Sequence, residues 1–349
     1  MFSVLMFVTG LALLVAGANW LINGAAQLAN RWGVSPLVIG LTVVAFGTSA
    51  PEFAVSIEAA IAGQDSVGLG NVVGSNIFNV LFILGLTALI VPLVVGHQLI
   101  RRDVPVMIGA SLLVWWLARD GRFSHADGAL LFAGLLGYLG YVFYQSSRQD
   151  ENLALPLELQ AHAPAWRSAV SVLFGLAMLV LGSRWLLEAV VAFATYLGVS
   201  DLVIGLTLVA AGTSLPEVVA SIAAAIKGQR DMAVGNVVGS NIFNLLGVLG
   251  LSSLLAPVGL TAPASLVAVD VPVMCLVALM CLPIFFTGAR VDRFEGCLFL
   301  LGYVAYTTYL VFAALAHPLV WMGDAVFLFL LPVGLLIIAQ VVQQLQDPD

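Results

Sequence analysis

The chain is divided into apolar runs, each long enough to cross a lipid bilayer as a helix. A helix needs about 20 consecutive, mostly apolar residues to cross the hydrocarbon core, and such runs recur through all 349 residues. Only 9% of the residues are charged, against roughly 25% in soluble domains. The sequence therefore predicts an all-α polytopic membrane protein. Eleven spans are expected, near residues 2–27, 37–61, 68–93, 103–119, 126–146, 168–196, 202–226, 233–256, 268–288, 294–316 and 319–342.

The chain also contains an internal duplication. From Gly33 to Leu86, 37 of 54 positions are identical to the residue 165 positions later. The hexapeptide GTSAPE (47–52) returns as GTSLPE (212–217), and GNVVGSNIFN (70–79) returns unchanged at 235–244. Identity is highest in these polar segments, which lie within predicted spans. The duplicated unit therefore carries a shared polar feature inside the membrane.

The duplication divides the chain into two repeats of five spans each. Because five is odd, the second repeat must enter the bilayer from the side opposite to the first. Inverted repeats of this kind are typical of secondary transporters, whose substrate sites lie near the bilayer midplane on broken helices. The predicted boundaries are a first repeat at 1–147, a linker at 148–166, a second, inverted repeat at 167–316, and one additional C-terminal span with its tail at 317–349.

The basic residues predict the orientation of the chain in the membrane. The loops after the even-numbered predicted spans, on the other side of the membrane from the loops after spans 1, 3, 5, 7 and 9, hold only Arg119 and Arg122. Because Lys and Arg concentrate on the cytoplasmic side, the N-terminus is expected outside and the 148–166 linker in the cytoplasm. The loops after the odd-numbered spans hold Arg31, Arg101, Arg102, Arg148, Arg167, Lys227, Arg230, Arg290 and Arg293.

The hexapeptide GTSAPE places a proline and a glutamate in the middle of a span. Pro51 has no N–H and its ring clashes with the carbonyl four residues earlier, so the helix must kink. The carbonyls of residues 45–47 are then expected to lose their usual partners. Thr48 and Ser49 precede Glu52 by four and three residues, which allows hydroxyl and carboxylate groups to converge on one turn. The second copy repeats this pattern with Thr213, Ser214, Pro216 and Glu217.

The duplicated decapeptide adds a stripe of amide and hydroxyl groups. Asn71, Ser75 and Asn79 are spaced four residues apart on one helix face, and Asn236, Ser240 and Asn244 repeat the pattern. Next to these stripes, Gly70/Gly74 and Gly235/Gly239 predict close helix approach. The groups are all oxygen donors without His or Cys, a set that suits hard cations such as Ca²⁺. One Ca²⁺ would balance two glutamates, and Na⁺ ions could occupy the same oxygens instead.

With these motifs, the sequence resembles the sodium/calcium exchanger family of the cation/Ca²⁺ exchanger superfamily, of the bacterial or archaeal type. The resemblance covers predicted spans 1–10 and implies ten core helices, with cation sites between spans 2, 3, 7 and 8. It also implies a plasma (inner) membrane location and sliding of spans 1 and 6 on glycine faces. The implied ligands are Glu52 and Glu217 at the centre, Thr48 and Thr213 beside them, Ser49, Ser214, Ser75, Ser240 and the carbonyls of Ala45 and Ala210 at the Na⁺ sites, and Asn79 and Asn244 lining the centre.

The position of Asn244 favours one coupling mode within the family. K⁺-dependent relatives, and some archaeal ones, carry Asp there, so Asn in both copies favours a K⁺-independent Na⁺/Ca²⁺ antiporter. A proton-coupled antiporter for Ca²⁺ or another divalent cation is the alternative, because burial favours protonated glutamates; a passive cation channel is less favoured. We expect Ca²⁺ and Na⁺ as transported ions, lipid contacts, a functional monomer, and no enzyme activity, resident cofactor or nucleic-acid partner.

Charged residues outside these motifs are assigned structural roles. Arg184 and Glu188 are spaced to form an ion pair within a span, with gating as the alternative. Asp103 and Asp270 each begin a DVPV sequence at the start of a span, which is typical of a helix N-cap; a role in ion entry is the alternative. Near the repeat ends, a shift of 165 residues aligns Tyr138, Tyr141 and Tyr144 with Tyr303, Tyr306 and Tyr309.

Overall fold

The computed structural model describes residues 2–146, 165–196, 210–286 and 288–314, which are almost entirely helical. The first repeat contains α1 (Phe2–Trp32), α2 (Pro36–Thr48), α3 (Ala50–Ile61), α4 (Asp65–Ile90), α5 (Val104–Leu117) and α6 (His125–Ser146). The second contains α7 (Ala165–Tyr196), α8 (Ala210–Thr213), α9 (Leu215–Ile226), α10 (Arg230–Leu255), α11 (Leu266–Phe286) and α12 (Arg293–Ala314).

These helices agree with the predicted spans. In the described part of the chain, seven helices are long and apolar enough to cross a membrane, and the bent pair α2–α3 makes an eighth. The fourth predicted span corresponds to the shorter helix α5. The second part of the seventh corresponds to α8 and α9, and its residues 202–209 lie outside the described part of the chain. The protein is therefore an all-α polytopic membrane protein. The predicted eleventh span (319–342) and most of the 148–166 linker lie outside the described residues.

Helices α4 and α10 form the centre of the molecule. In their most apolar stretches, 72% of the residues of α4 and 89% of those of α10 are buried. The corresponding fractions for α1, α6, α7 and α12 lie between 22% and 33%. The two helices that carry the duplicated decapeptide are thus enclosed by protein, and the other four have largely exposed apolar surfaces.

The first helices of the two repeats, α1 and α7, pack against each other in opposite directions. A methyl group on Gly17 would lie 2.8 Å from the Gly175 carbonyl oxygen, and one on Gly10 would lie 2.9 Å from the Gly182 carbonyl oxygen. The later glycine of α1 contacts the earlier glycine of α7 and vice versa, so the two helices are antiparallel. Because Gly10 and Gly17 are the repeat equivalents of Gly175 and Gly182, the two contacts are related by exchange of the repeats, as expected for an inverted pair.

Two short antiparallel strand pairs join the repeats at opposite ends of the molecule. Strand β1 (Leu93–Val94) pairs with β4 (Arg290–Val291), and β2 (Arg122–Phe123) pairs with β3 (Leu260–Thr261). The pair β1–β4 lies at the end of the molecule that carries most of the basic loop residues. The pair β2–β3, which includes Arg122, lies at the other end. Sequence analysis did not predict these strands, because two residues are too short for an alternating pattern.

The predicted caps at Asp103 and Asp270 are wrong. Asp103 closes a π-helical turn (Leu99–Asp103) without a side-chain cap bond, and it accepts a hydrogen bond from the Tyr138 hydroxyl at 3.1 Å. Asp270 likewise accepts from Tyr306 at 2.8 Å. Each aspartate therefore links two helices. These bonds make Tyr306 the structural equivalent of Tyr138, whereas the shift of 165 residues aligned Tyr138 with Tyr303. The difference arises because the loops between the later helices are longer in the second repeat.

The predicted ion pair between Arg184 and Glu188 does not form either. Both side chains are exposed on α7, and neither is ion-paired with a described residue. Their repeat equivalents on α1, Asn19 and Asn23, are bound by Lys227, whose Nζ lies 3.2 Å from the Asn19 carbonyl oxygen and 2.9 Å from Asn23 Oδ1. The repeat equivalent of Lys227 is Ala62, so no matching contact can form at Arg184 and Glu188.

Candidate cation-binding site

Each hexapeptide breaks its helix at the serine. Ser49 (φ −78°, ψ 5°) separates α2 from α3, which are bent by 46°, and Ser214 (φ −88°, ψ 8°) separates α8 from α9. The prolines follow in the first turns of α3 and α9, where a missing N–H is tolerated. The carbonyl of Ala45 was expected to lose its helical partner. It instead accepts a hydrogen bond from the Ser49 N–H at 3.0 Å.

The two glutamates are held by serines from the opposite repeat. Ser49 Oγ donates to Glu217 Oε1 at 3.0 Å, and Ser214 Oγ donates to Glu52 Oε1 at 2.8 Å. Ser75 Oγ lies 3.2 Å from Ser214 Oγ. Sequence spacing predicted that hydroxyls would converge on the glutamate of their own turn. The structure instead exchanges the partners, so that neither repeat alone builds the site.

The threonines follow the same exchange. Thr48 Oγ1 lies 3.2 Å from Asn236 Oδ1, and Thr213 Oγ1 lies 3.3 Å from Asn71 Oδ1. The amide nitrogens of the two asparagines then donate to serines four residues after each glutamate: Asn71 to Ser56 and Asn236 to Ser221, each at 2.9 Å. These bonds fix the oxygen ends of the amides towards the threonine hydroxyls.

Several buried oxygens of these residues make no hydrogen bond. Glu52 and Glu217 are each 1% exposed, and each uses one carboxylate oxygen for the serine and leaves the other unpaired. A buried polar group without a partner is unfavourable, so these atoms are candidate ligands. Among the described residues, the unpaired buried atoms of the predicted set are Glu52 Oε2, Glu217 Oε2, Asn79 Oδ1, Ser240 Oγ and both Oδ1 and Nδ2 of Asn244.

Close packing brings the decapeptide of α10 against the broken span α2. A methyl group on Gly239 would lie 2.7 Å from the Leu41 carbonyl oxygen and 2.8 Å from the Ala45 side chain, so only glycine allows this approach. The prediction of a close helix contact is therefore confirmed for Gly239 and for Gly235, where a methyl group would lie 3.1 Å from the Leu37 carbonyl oxygen. At Gly70 and Gly74 a methyl group would meet no described atom within 4 Å. π-Helical turns begin at Asn79 in α4 and at Phe243 in α10; such turns occur frequently at functional sites.

Sequence analysis missed two serines and one asparagine that contact this cluster: Ser56, Ser221 and Asn241. Ser56 and Ser221, which bind the Asn71 and Asn236 amides, are identical in the two repeats and follow each glutamate by four residues. Asn76 and Asn241 belong to the unchanged decapeptide, and Asn241 accepts a hydrogen bond from Asn79 at 3.0 Å. Identity between the copies was the available signal for all three residues.

The chemistry of the cluster suits a hard cation. In the described part of the chain, no group of three or more His, Cys, Asp or Glu side chains is placed to hold a metal ion. The donors are two carboxylates surrounded by neutral hydroxyl and amide oxygens, as Ca²⁺ and Na⁺ prefer and as Zn²⁺ does not. Such buried carboxylates in a membrane protein indicate an ion or substrate pathway.

The fold and these polar contacts define a polytopic helical membrane protein of the transporter type. The family model for the sodium/calcium exchanger protein matches residues 2–145 and 167–312, so the chain belongs to the sodium/calcium exchanger family. The sodium/calcium exchanger MaX1 of Methanosarcina acetivorans is 33% identical over 345 residues, covering 88% of this chain and 98% of the relative. The inner membrane protein YrbG of Escherichia coli is 39% identical over 260 residues, covering 72% and 79%.

A solved structure with a similar fold belongs to the same family. The chain matches the sodium-calcium exchanger NCX_Mj, soaked with zero Na⁺ and Ca²⁺, with a TM-score of 0.75 and 33% sequence identity. The match covers 88% of this chain and 99% of the solved one. The similarity thus extends over both repeats.

Proposed function

We propose that this protein is a K⁺-independent Na⁺/Ca²⁺ antiporter in which the two ions compete for one site between the repeats. The observation that carries the proposal is the exchange of partners at Glu52 and Glu217, each held by a serine of the other repeat with one carboxylate oxygen left unpaired. The names of the relatives MaX1 and NCX_Mj support the same exchange reaction.

The proposed ligands can hold either ion but not both. One Ca²⁺ neutralises two carboxylates, and Na⁺ ions distributed over the same oxygens do so too. Occupancy by one ion therefore excludes the other, which is the physical requirement for antiport. Glu52 and Glu217 are the central ligands, and the Na⁺ positions are completed by Thr48, Thr213, Ser49, Ser214, Ser75, Ser240, the carbonyls of Ala45 and Ala210, and the amides of Asn79 and Asn244.

Alternating access is supported by a contrast between the glutamates, whose serine contacts are equivalent in the two repeats, and the helix pair α1–α7, whose contacts are not. The hydrogen bond from Ser49 to Glu217 is the repeat equivalent of the one from Ser214 to Glu52. The contacts of the pair α1–α7 lack this equivalence: Gly47 and Gly212 are repeat equivalents, yet Leu176 and Leu187 of α7 face both of them. We infer that α1 and α7 move together over the site, and that this structure holds them in one of two positions.

Placement in the cell follows from the same features. All proposed ligands come from one chain, so a monomer is sufficient for exchange. The basic end of the molecule is proposed to face the cytoplasm, which places the N-terminus outside. An inner (plasma) membrane location is in keeping with the name of the relative YrbG.

Uptake of Ca²⁺ into proteoliposomes tests the exchange reaction. Vesicles loaded with Na⁺ and diluted into Na⁺-free medium containing ⁴⁵Ca²⁺ should accumulate Ca²⁺, and vesicles with Na⁺ on both sides should not. Imposed K⁺ gradients should have no effect. Accumulation driven by a pH gradient but not by a Na⁺ gradient would instead establish a proton-coupled antiporter. Equilibration without accumulation under every gradient would indicate a passive channel.

A further inference from the structure

The side chain of Asn79 is held with its oxygen end free. Its Nδ2 donates to Asn241 Oδ1 at 3.0 Å, and its Oδ1 is buried without a hydrogen bond. An amide has a donor end and an acceptor end, and only the acceptor end attracts a cation. We propose that Asn241 is a positioning residue that turns the Asn79 amide so that Oδ1 faces the transported cation; this role rests on the proposed function of the site.

The orientation of Asn241 is itself fixed by contacts on its other side. Its Nδ2 lies 3.4 Å from the Asn76 carbonyl oxygen and 3.4 Å from Met107 Sδ. Both are acceptors, so the nitrogen end of Asn241 turns towards them and the oxygen end turns towards Asn79. Asn241 is 2% exposed, and this chain of bonds runs from α5 through α10 to the π-helical turn of α4.

The other repeat lacks this arrangement although its residues are identical. Asn76, the repeat equivalent of Asn241, donates from Nδ2 to the Val72 carbonyl oxygen of its own helix at 2.7 Å. Asn244, the equivalent of Asn79, makes no hydrogen bond from either end of its amide. The two central amides therefore differ: Asn79 is oriented by a neighbour, and Asn244 is free to present either end.

Loss of the acceptor at position 241 should weaken Ca²⁺ binding. In Asn241→Leu, the Asn79 N–H loses its partner and the amide can turn its donor end towards the cation. Removal of a group that orients a metal ligand typically lowers metal affinity about 10- to 100-fold. We expect the half-saturating Ca²⁺ concentration for Na⁺-driven uptake to rise by at least about 10-fold, with the maximal rate largely retained.

Two single variants serve as matched comparisons. Asn76→Leu removes the same side chain from the same motif position but no bond to a central amide, so half-saturation should change by less than about 3-fold, well below the expected loss of a positioning group. Asn241→Asp keeps an acceptor for the Asn79 N–H and should not raise half-saturation as Asn241→Leu does. Equal effects of Asn76→Leu and Asn241→Leu would overturn the proposal.

A double variant separates positioning from general damage to the fold. An aspartate at position 79 has acceptor oxygens at both ends and needs no orientation. In the Asn79→Asp background, Asn241→Leu should therefore produce little further change in half-saturation. If the two substitutions instead raise half-saturation independently, Asn241 acts on the packing of the helices and the positioning role is wrong.

Equilibrium binding of ⁴⁵Ca²⁺ to the purified full-length protein distinguishes failure of this inference from failure of the proposed function. If the wild-type protein binds Ca²⁺ but shows no Na⁺-driven uptake, antiport is wrong, and the same variants are compared by their binding constants. If the wild-type protein exchanges normally and Asn241→Leu binds Ca²⁺ as tightly, only the positioning role fails. A wild-type protein that neither binds nor transports Ca²⁺ overturns both.

Discussion

At the scale of single residues, the site depends on two carboxylates that share one environment. Glu52 and Glu217 occupy equivalent positions, are equally buried, and each accept one serine hydroxyl from the opposite repeat. Their unpaired oxygens are costly to bury, and a bound cation would offset that cost. The two side chains are therefore expected to contribute to cation binding to a similar extent.

Neutral substitutions of the glutamates test this equivalence. Glu52→Gln and Glu217→Gln keep the size of the side chain but remove one of the two charges that balance Ca²⁺. Each variant should lower Na⁺-driven Ca²⁺ uptake by more than about 100-fold, since even an outer-shell change costs 10- to 100-fold. Size-exclusion chromatography of the purified variants checks folding. Retained uptake in either variant would locate the cation site elsewhere.

Because Asn244 is neutral, the proposed site contains two carboxylates and not three. K⁺-dependent relatives carry Asp at this position, so the residue is expected to determine the response to K⁺. Asn244 is fully buried with both ends of its amide unpaired, so Asn244→Asp adds a third carboxylate without a shape change. We expect the variant to take up Ca²⁺ at a rate that depends on a K⁺ gradient, whereas the wild-type rate does not. K⁺-dependent uptake by the wild-type protein would contradict the assignment.

The sequence predicted the identity of these residues better than their partners. Identity between the copies indicated Glu52 and Glu217, and the proline next to each indicated a broken helix. The spacing suggested that Ser49 belonged to Glu52, whereas it binds Glu217. Spacing along one helix reports only local neighbours, and the contact between repeats arises from the packing of α3 against distant elements. The Asp103–Tyr138 bond was missed for the same reason.

At the scale of elements, the helices that carry the site are held tightly and the pair α1–α7 packs backbone to backbone. The glycines of this pair leave no room for a side chain: a methyl group on Gly175 would lie 2.7 Å from the Gly17 carbonyl oxygen. Small residues allow membrane helices to approach closely. The atoms nearest to Gly10, Gly17, Gly175 and Gly182 all belong to the other helix of the pair. These glycines therefore join α1 to α7, and the implied sliding on glycine faces is wrong for them.

Alanine at this contact should destabilise the protein. Gly175→Ala forces the two helices apart, and overpacking of this kind typically costs about 1–3 kcal/mol. The midpoint of thermal unfolding in detergent should fall accordingly. Gly137→Ala on α6 is the matched control, because an added methyl group there meets no described atom within 4 Å. Equal midpoints for the two variants would contradict the close contact between α1 and α7.

At the scale of the whole molecule, two copies of one unit build a single site by facing opposite ways. Strands β1 and β3 occupy equivalent places in the two repeats, as do β2 and β4. The pair β1–β4 is therefore the repeat equivalent of the pair β2–β3, and the two pairs lie at opposite ends of the molecule. The duplication predicted this inversion because the number of spans per copy is odd. The asymmetric position of α1–α7 could not be predicted, because the duplication implies equivalent positions for the two helices.

Equivalent turns of the two repeats should lie on opposite sides of the membrane. Gln64, between α3 and α4, and Gln229, between α9 and α10, are repeat equivalents. In a background without Cys275, Cys281 and Cys297, Gln64→Cys should react with a membrane-impermeant maleimide in intact cells. Gln229→Cys should react only after permeabilisation. Labelling of both cysteines from the same side would rule out the inverted arrangement.

Competition between the two ions for one site is the central claim, and equilibrium binding measures it directly. ⁴⁵Ca²⁺ binding to the purified protein is titrated at increasing Na⁺, with K⁺ replacing Na⁺ as the control for ionic strength. A shared site predicts that Na⁺ raises the apparent dissociation constant for Ca²⁺ while maximal binding is unchanged, and that K⁺ has no such effect. If Ca²⁺ affinity is independent of Na⁺, the two ions do not share the oxygens of Glu52 and Glu217, and the proposed exchange mechanism is wrong.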